Sequence, residues 1–381
     1  MPQVGRYLCK INFVLLLLVF LLGATAYYFF GRSTEPKLEG VSSASFSPNM
    51  RCKALYSMQN EVLAFTTEYF RIDKKTLSCK PFDSITDSIQ ALCVTPDGKH
   101  TFVLATDVDT PYFVDIQNDL KENKQKKISL PEFATHRTNW LYSVLVCDNE
   151  RLVLINPKRM YTWKIKDLIK DSAFEFENVH AAGCEYSCFA MRDNYLYIGE
   201  DREHYGGKLI RINLENGKFE NLLDKSVSDL LFDKNGTLWT INKLPNGDPG
   251  KICVLDPINN QLKVISSITR ANPDKNEAKV ALNWDFPVTQ FQKLFLNDKN
   301  QLMVATDSQG FFCFDKEKSK WTRKGPGKIF GLDAFEKILS LEDNKVMVAG
   351  HIDNECTFML YDFDKNTYRL LEGDPNQVKE R

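Results

Sequence analysis

The stretch SDLLFDKNGTLWTINKLPNGDPGKICVLDPINNQLKVIS, residues 228–266, holds one complete copy of a repeating unit. Leu230-Leu231-Phe232 is an apolar run closed by Asp233-Lys234-Asn235-Gly236, and Leu238-Trp239-Thr240-Ile241 follows it. A polar loop, NKLPNGDPG, leads to Ile252-Cys253-Val254-Leu255, after which Asp256 opens a turn before Leu262-Lys263-Val264-Ile265. Apolar runs this short, each bounded by turn formers, are strands and not helices. Asn235-Gly236 supplies the positive φ that a tight hairpin needs.

The same pattern recurs from about Lys53 to Gly373. Its first turns fall at Asn60, Asp97, Asp148, Asp193, Asn235, Lys299 and Asp343, spaced by 37, 51, 45, 42, 64 and 44 residues. Periods of this length, each with four short strands, mark the blades of a β-propeller. The third strand of a unit often ends in Asp or Asn, as at Asp73, Asn213, Asp256, Asp315 and Asp362. A short side-chain oxygen there accepts from backbone N–H groups two residues on and fixes the return turn. One four-stranded sheet cannot bury both of its faces, but a ring of them buries each against its neighbours. The expected fold is all-β, a seven-bladed propeller over residues 49–375 with a short tail at 376–381; six and eight are the adjacent blade counts.

Residues 302–323, LMVATDSQGFFCFDKEKSKWTR, resemble the repeats of two-component-regulator-type propellers, with a Gly and a Phe-Asp before the return turn. Residues 195–222, YLYIGEDREHYGGKLIRINLENGKFENL, look similar to NHL and PQQ-type propeller repeats. The resemblance implies a fold and carries over no catalytic residue, because no WD dipeptide, Kelch glycine pair or Asp-box recurs.

Ahead of the repeats, after a short tail at 1–10, residues 11–30 run INFVLLLLVFLLGATAYYFF without a charge. Twenty helical residues span about 30 Å, enough for a bilayer core. Either the stretch is an uncleaved signal anchor whose Tyr27, Tyr28, Phe29 and Phe30 form an interfacial belt, or Ala24-Thr25-Ala26 is a signal-peptidase site and the chain is secreted after Ala26. Arg6 and Lys10 bias the N-terminus slightly to the cytoplasm, which places the propeller in a lumenal or extracellular space. Residues 31–48 read as a linker, and Cys9 stands as a palmitoylation candidate.

The 49 Lys and Arg balance 50 Asp and Glu, for a formal net charge of −1. Without surplus cation there is no counterion release to drive nucleic-acid binding. An apolar fraction of 43% excludes wholesale disorder, and ten cysteines in 381 residues are too sparse for a disulfide-built scaffold.

In a propeller the b–c and d–a connections emerge on one face and the a–b and c–d turns on the other. The long, variable loops, 107–111, 200–207, 242–250, 350–355 and the insertion 269–288, all belong to the first face, where a rigid scaffold usually carries function. Four of the five histidines, His136, His180, His204 and His351, fall there. Glu200, Asp201, Asp285 and Asp353 are the candidate ligands for calcium or another metal at the channel mouth, the arrangement that lactonase and arylesterase propellers use. Trp284 is an interface anchor of the kind partners favour. Asn235-Gly236-Thr237 is a glycosylation sequon, and Cys52 with Cys79 is the expected disulfide. No nucleophile elbow, phosphate loop or zinc-protease motif is present. The expectation is a membrane-tethered, extracytoplasmic propeller that binds a protein partner or small ligand through its long-loop face and needs no cofactor. A metal-assisted hydrolase is the alternative, and a cytoplasmic sensor or scaffold, which the strand cysteines would suit, the third.

Overall fold

The structure, a computed structural model, describes residues 37–44, 52, 54–66, 69–82, 88–107, 110–117, 125–130, 144–156, 159–175, 188–201, 206–244, 248–256, 259, 261–272, 277–281, 291–306, 310–325, 332–352 and 355–373. These form seven antiparallel sheets. Strand β1 (Lys37–Ala44) lies ahead of them. The first blade is β2 (Ala54–Ser57), β3 (Glu61–Phe65), β4 (Tyr69–Asp73) and β5 (Cys79–Pro81); the second is β6 (Ser88–Val94), β7 (His100–Asp107), β8 (Thr110–Gln117) and β9 (Gln125–Ser129). The third holds β10 (Val144–Cys147), β11 (Arg151–Ile155), β12 (Arg159–Lys164) and β13 (Ile169–Glu175), and the fourth β14 (Cys188–Arg192), β15 (Tyr195–Gly199), β16 (Leu209–Asn213) and β17 (Phe219–Leu223). The fifth has five strands, β18 (Val227–Phe232), β19 (Leu238–Leu244), β20 (Asp248–Asp256), β21 (Gln261–Asn272) and β22 (Glu277–Ala281). The sixth is β23 (Phe291–Leu296), β24 (Leu302–Thr306), β25 (Gly310–Asp315) and β26 (Lys320–Arg323), and the seventh β27 (Leu332–Leu341), β28 (Lys345–Ile352), β29 (Glu355–Asp362) and β30 (Thr367–Gly373).

The innermost strands meet in sequence, β2 against β6, β6 against β10, β10 against β14, and so through β18, β23 and β27 back to β2. The sheets therefore close into a ring of seven blades. Seven apolar clusters fill the seven junctions between neighbouring blades. Strand β7 shows why its sequence is apolar at nearly every position. Phe102 and Leu104 pack towards the third blade with Leu152 and Trp163, while Val103 and Ala105 pack towards the first with Leu63 and Tyr69. Both faces of each sheet are dry, so the polar half of the usual alternation disappears. Each large side chain so buried contributes about 1.5–3 kcal/mol.

Every expected first turn joins an innermost strand to its neighbour. At Asp97-Gly98 the glycine takes φ +71° and its N–H bonds Thr95 O at 2.8 Å. The third-strand carboxylates and amides also act as expected. Asp73 Oδ1 accepts from Lys75 N and Thr76 N at 2.9 and 2.7 Å, Asn213 Oδ1 from Glu215 N at 2.8 Å, Asp315 Oδ1 from Lys318 N at 3.0 Å, and Asp362 Oδ1 from Lys365 N at 3.0 Å.

Three expectations change. Within the supposed linker, Lys37–Ala44 is strand β1, paired in parallel with β30 on the outer edge of the last blade. Backbone pairing with an open edge needs no apolar sequence, so a Ser-rich segment fills the place. The 269–288 insertion gives β22, which folds back as a fifth strand on β21. Three of the four b–c loops contract, because their strands run on: Asp107 pairs with Thr110, Leu244 with Asp248 and Ile352 with Glu355. No helix among the described residues is long and apolar enough to cross a membrane, and residues 11–30 lie outside them.

Candidate functional site

Antiparallel order puts the start of every innermost strand on the long-loop face, around the mouth of the central channel. Four of these strands carry a β-bulge near that start. The extra residue is Gln90 in β6, Ser228 in β18, Gln292 in β23 and Glu336 in β27, in each case polar. A bulge releases a residue from the ladder and re-aims its neighbourhood.

Side chains at or beside these bulges stitch blade to blade. Asp229 Oδ2 accepts from Leu294 N of the next blade at 2.6 Å, Gln292 Oε1 from Phe335 N at 2.7 Å, and Glu336 Oε2 from Cys52 N of the first blade. Glu336 Oε1 also lies 2.8 Å from His351 Nε2. Lys293 Nζ reaches Asp229 Oδ1 at 3.9 Å.

Lys337 is the next residue along β27. Its side chain is only partly exposed, and it lies within electrostatic range of Lys293, Asp229, Cys52 and Cys188, groups from four other blades. Enclosure, and then the like charge of Lys293, push its ammonium below the usual lysine range. Lys337 forms no ion pair of its own among the described residues. Across the channel, burial raises the Cys188 thiol, whose single S–H has two acceptors in reach, Gly199 O at 3.7 Å and Val227 O at 3.6 Å.

The rim residues expected from the sequence fare unevenly. Glu200 and Asp201 are 1% and 6% exposed, so they belong to the junction of the fourth and fifth blades and not to open water. Ser226 Oγ donates to Asp201 Oδ1, Asn242 Nδ2 to Ser226 O at 3.4 Å, and Thr240 Oγ1 to Asn242 Oδ1 at 2.7 Å. Gly207 is required here, because a Cβ would sit 2.0 Å from Glu200 O. His351 is a residue of β28 bound to Glu336, not a loop residue. His136, His180, His204, Trp284, Asp285 and Asp353 lie outside the described residues. Among those described, no three His, Cys, Asp or Glu side chains converge as a metal site. Cys52 and Cys79 stand as separate thiols, not as the expected disulfide. Each instead fills the apolar junction of the first and last blades, where Cys52 feels Cys356. Asn235 is exposed in its turn, accessible as a sequon acceptor.

The opposite face offers a polar cavity of about 320 Å³ lined by Ser57, Met58, Lys74, Asp97, Lys99 and Glu342 among others. Lys74 is already engaged there, donating to Ser57 Oγ at 3.0 Å, Gln59 O at 3.2 Å and Met58 O.

The channel-mouth residues escaped the sequence reading, although one signal existed. Phe291-Gln292-Lys293-Leu294 and Phe335-Glu336-Lys337-Ile338 are the same motif one blade apart, and in both the polar pair marks the bulge.

No protein-family model matches the chain, and no curated protein matches it. Solved structures do. YCF48 bound to a D1 peptide gives a TM-score of 0.53 at 10% identity, covering 85% of this chain and 96% of that one. The WD40 β-propeller domain of Doa1 gives 0.50 at 9% identity, over 82% and 94%. The extracellular domain of the one component system BT4673 of B. thetaiotaomicron gives 0.52 at 12% identity over 86% of this chain, which spans only 40% of that domain's length. At such identities the likeness concerns the fold, and with the closed ring of sheets it establishes the chain as a seven-bladed β-propeller.

Proposed function

We propose that this propeller is a binding module that docks a protein partner through its long-loop face, held at a membrane by residues 11–30 with the propeller on the extracytoplasmic side. The observation that carries the docking reading is the channel mouth, where charged and polar side chains of several blades converge without a nucleophile–base pair or a metal cluster among the described residues. A polar surface assembled from several blades of a rigid scaffold suits recognition of a partner. Two of the similar structures support the reading: one has a peptide bound, and another is the extracellular domain of a one component system.

The face is tested by photo-cross-linking in cells from Lys208 and Lys225, exposed on the long-loop side, against Lys234 and Lys299 on the turn side. Discrete cross-links from the first pair alone are expected; equal labelling from both faces would overturn the reading. Placement is tested by a glycosidase shift that disappears in Asn235→Gln, with protease protection of the propeller in intact microsomes. Digestion without detergent and no shift would put the propeller in the cytoplasm.

A further inference from the structure

The second and third blades meet through a pair of thiols. In β6, Cys93 stands opposite Phe102, and in β10, Cys147 stands opposite Leu152. Residues directly opposed in an antiparallel ladder present their side chains on the same face. Phe102 and Leu152 pack into the junction between these two blades, and Cys93 and Cys147 belong to the same apolar cluster, so the cysteines face each other across it. Their thiols share a side-chain hydrogen bond. Just beyond the pair, Asp97 N donates to Asn149 Oδ1 at 3.1 Å, which fixes the two strand ends relative to each other. Tyr56 of the first blade donates through its hydroxyl to Leu92 O at 2.7 Å and packs against the same cluster. Cys93 is 3% exposed, whereas Cys147, the last residue of its strand before the turn, is half-buried. A cysteine that only fills core space needs no second thiol. Cys313, at the junction of the sixth and seventh blades, is of that kind, packed among apolar residues with no other cysteine described there.

We propose that Cys93 and Cys147 form a disulfide that staples the second blade to the third, with Cys147 as the thiol that reacts first. This rests on the extracytoplasmic placement of the propeller, because disulfides persist in such a compartment while a cytosol keeps thiols reduced. The oxidant is a disulfide from outside the chain, glutathione disulfide or the active-site disulfide of an oxidoreductase. Cys147 attacks as its thiolate, an S–S bond forms to one oxidant sulfur, and the other oxidant sulfur leaves and takes up a proton. Cys93 then gives up its proton and attacks Cys147 Sγ, and the second oxidant sulfur departs as a thiol. Two thiols of the chain are oxidised, and one external disulfide is reduced to two thiols that carry the two protons released. Burial and the neighbouring Cys147 push the Cys93 thiol up, which makes it a poor first nucleophile and leaves it the second, intramolecular step. Facing thiols already in contact are bridged by side-chain rotation, without movement of the strands. The staple encloses all of β7, β8 and β9, and a long closed loop removes much freedom from the unfolded chain.

The full chain, purified in detergent with its thiols reduced, is incubated with glutathione disulfide at neutral pH, quenched with acid and mapped by mass spectrometry of its peptides. A linked Cys93–Cys147 peptide pair is expected, with a thermal midpoint several degrees above that of the reduced chain. Cys93→Ser should halt the reaction after its first step, so that glutathione stays on Cys147. Cys147→Ser should leave Cys93 unmodified as long as the ring is folded. Circular dichroism reports whether each variant folds, and where one does not, the map of the unsubstituted chain decides. Absence of the linked pair in the folded chain, stable glutathione on its Cys147, or Cys147 joined to another cysteine would each overturn the staple. Glutathione on Cys93 in folded Cys147→Ser would overturn the order of attack. Chain drawn from cells with its thiols trapped in acid separates the two readings. A pair that oxidises when purified yet is wholly reduced in cells would overturn the extracytoplasmic placement alone. A glycosylated, protease-protected propeller whose purified pair stays reduced would overturn the staple alone.

Discussion

Asp233, in the first turn of the fifth blade, accepts a hydrogen bond from Lys316 Nζ of the sixth at 2.7 Å, while its other oxygen holds Asn235 N and Thr237 N. Trp239 Nε1 donates to the same carboxylate at 3.0 Å. Burial works against the charge, but Lys316 and these donors outweigh it and hold the carboxyl near 2, below the usual 3.8. The folded pKa is depressed, so the stability it contributes is complete above about pH 4 and lost as pH falls towards 2. Asp233→Asn should cost about 1–2 kcal/mol at pH 7 and only a fraction of that near pH 2, where half the carboxyl is protonated. Urea denaturation at both pH values checks this; a pH-independent difference would sink it.

Glu336 joins the last blade to the first. Glu336→Ala leaves Cys52 N and His351 Nε2 without their acceptor and should cost about 1–3 kcal/mol, with faster hydrogen exchange at Cys52. Glu336→Gln keeps an acceptor and should lose less. Unchanged exchange in the alanine variant would show that this oxygen does not hold the junction.

Burial sets thiol reactivity. It pushes Cys79 and Cys356 up to about 12 and Cys253 up to about 11. At pH 8 all three are protonated and poor nucleophiles. Iodoacetamide should label them only once guanidinium has opened the ring, as mass spectrometry would show. Labelling at native conditions within minutes would contradict the packing at these blades.

Phe311 stands between the sixth and seventh blades, its ring centroid 5.6 Å from Phe295, 5.8 Å from Tyr361 and 5.4 Å from Phe363. Truncating it removes apolar area and leaves a hole lined by rigid aromatics. Phe311→Ala should therefore cost about 3–5 kcal/mol, and Phe311→Leu clearly less. Denaturant midpoints decide the order.

What was legible in the sequence is what each blade does by itself. The turn at Asn235-Gly236, the capping oxygen of Asp315 and the double-faced apolar strand of Phe102 to Ala105 act within a few residues, so local chemistry announces them. The channel mouth does not. Asp229 meets Leu294, 65 residues away, and Glu336 meets Cys52, 284 residues away, contacts that exist only once the ring has closed. His351 reads as a loop residue because polar residues usually mark loops; pairing with Cys356 keeps it in β28. Glu200 and Asp201 read as ligands at the channel mouth because their loop is polar, whereas both are buried, with Ser226 donating to Asp201.

Strand β1 is zipped to β30 in parallel, Lys37 beside Thr367 and Ala44 beside Gly373, outside the antiparallel ladder of the last blade. Tension pulled along that strand from the N-terminal end must first make the ladder slide, and evenly spaced parallel bonds resist sliding together instead of parting one at a time. The circle of blades is mechanically downstream of this fastening. A tug on the leading end is absorbed at the perimeter before it reaches the charged throat.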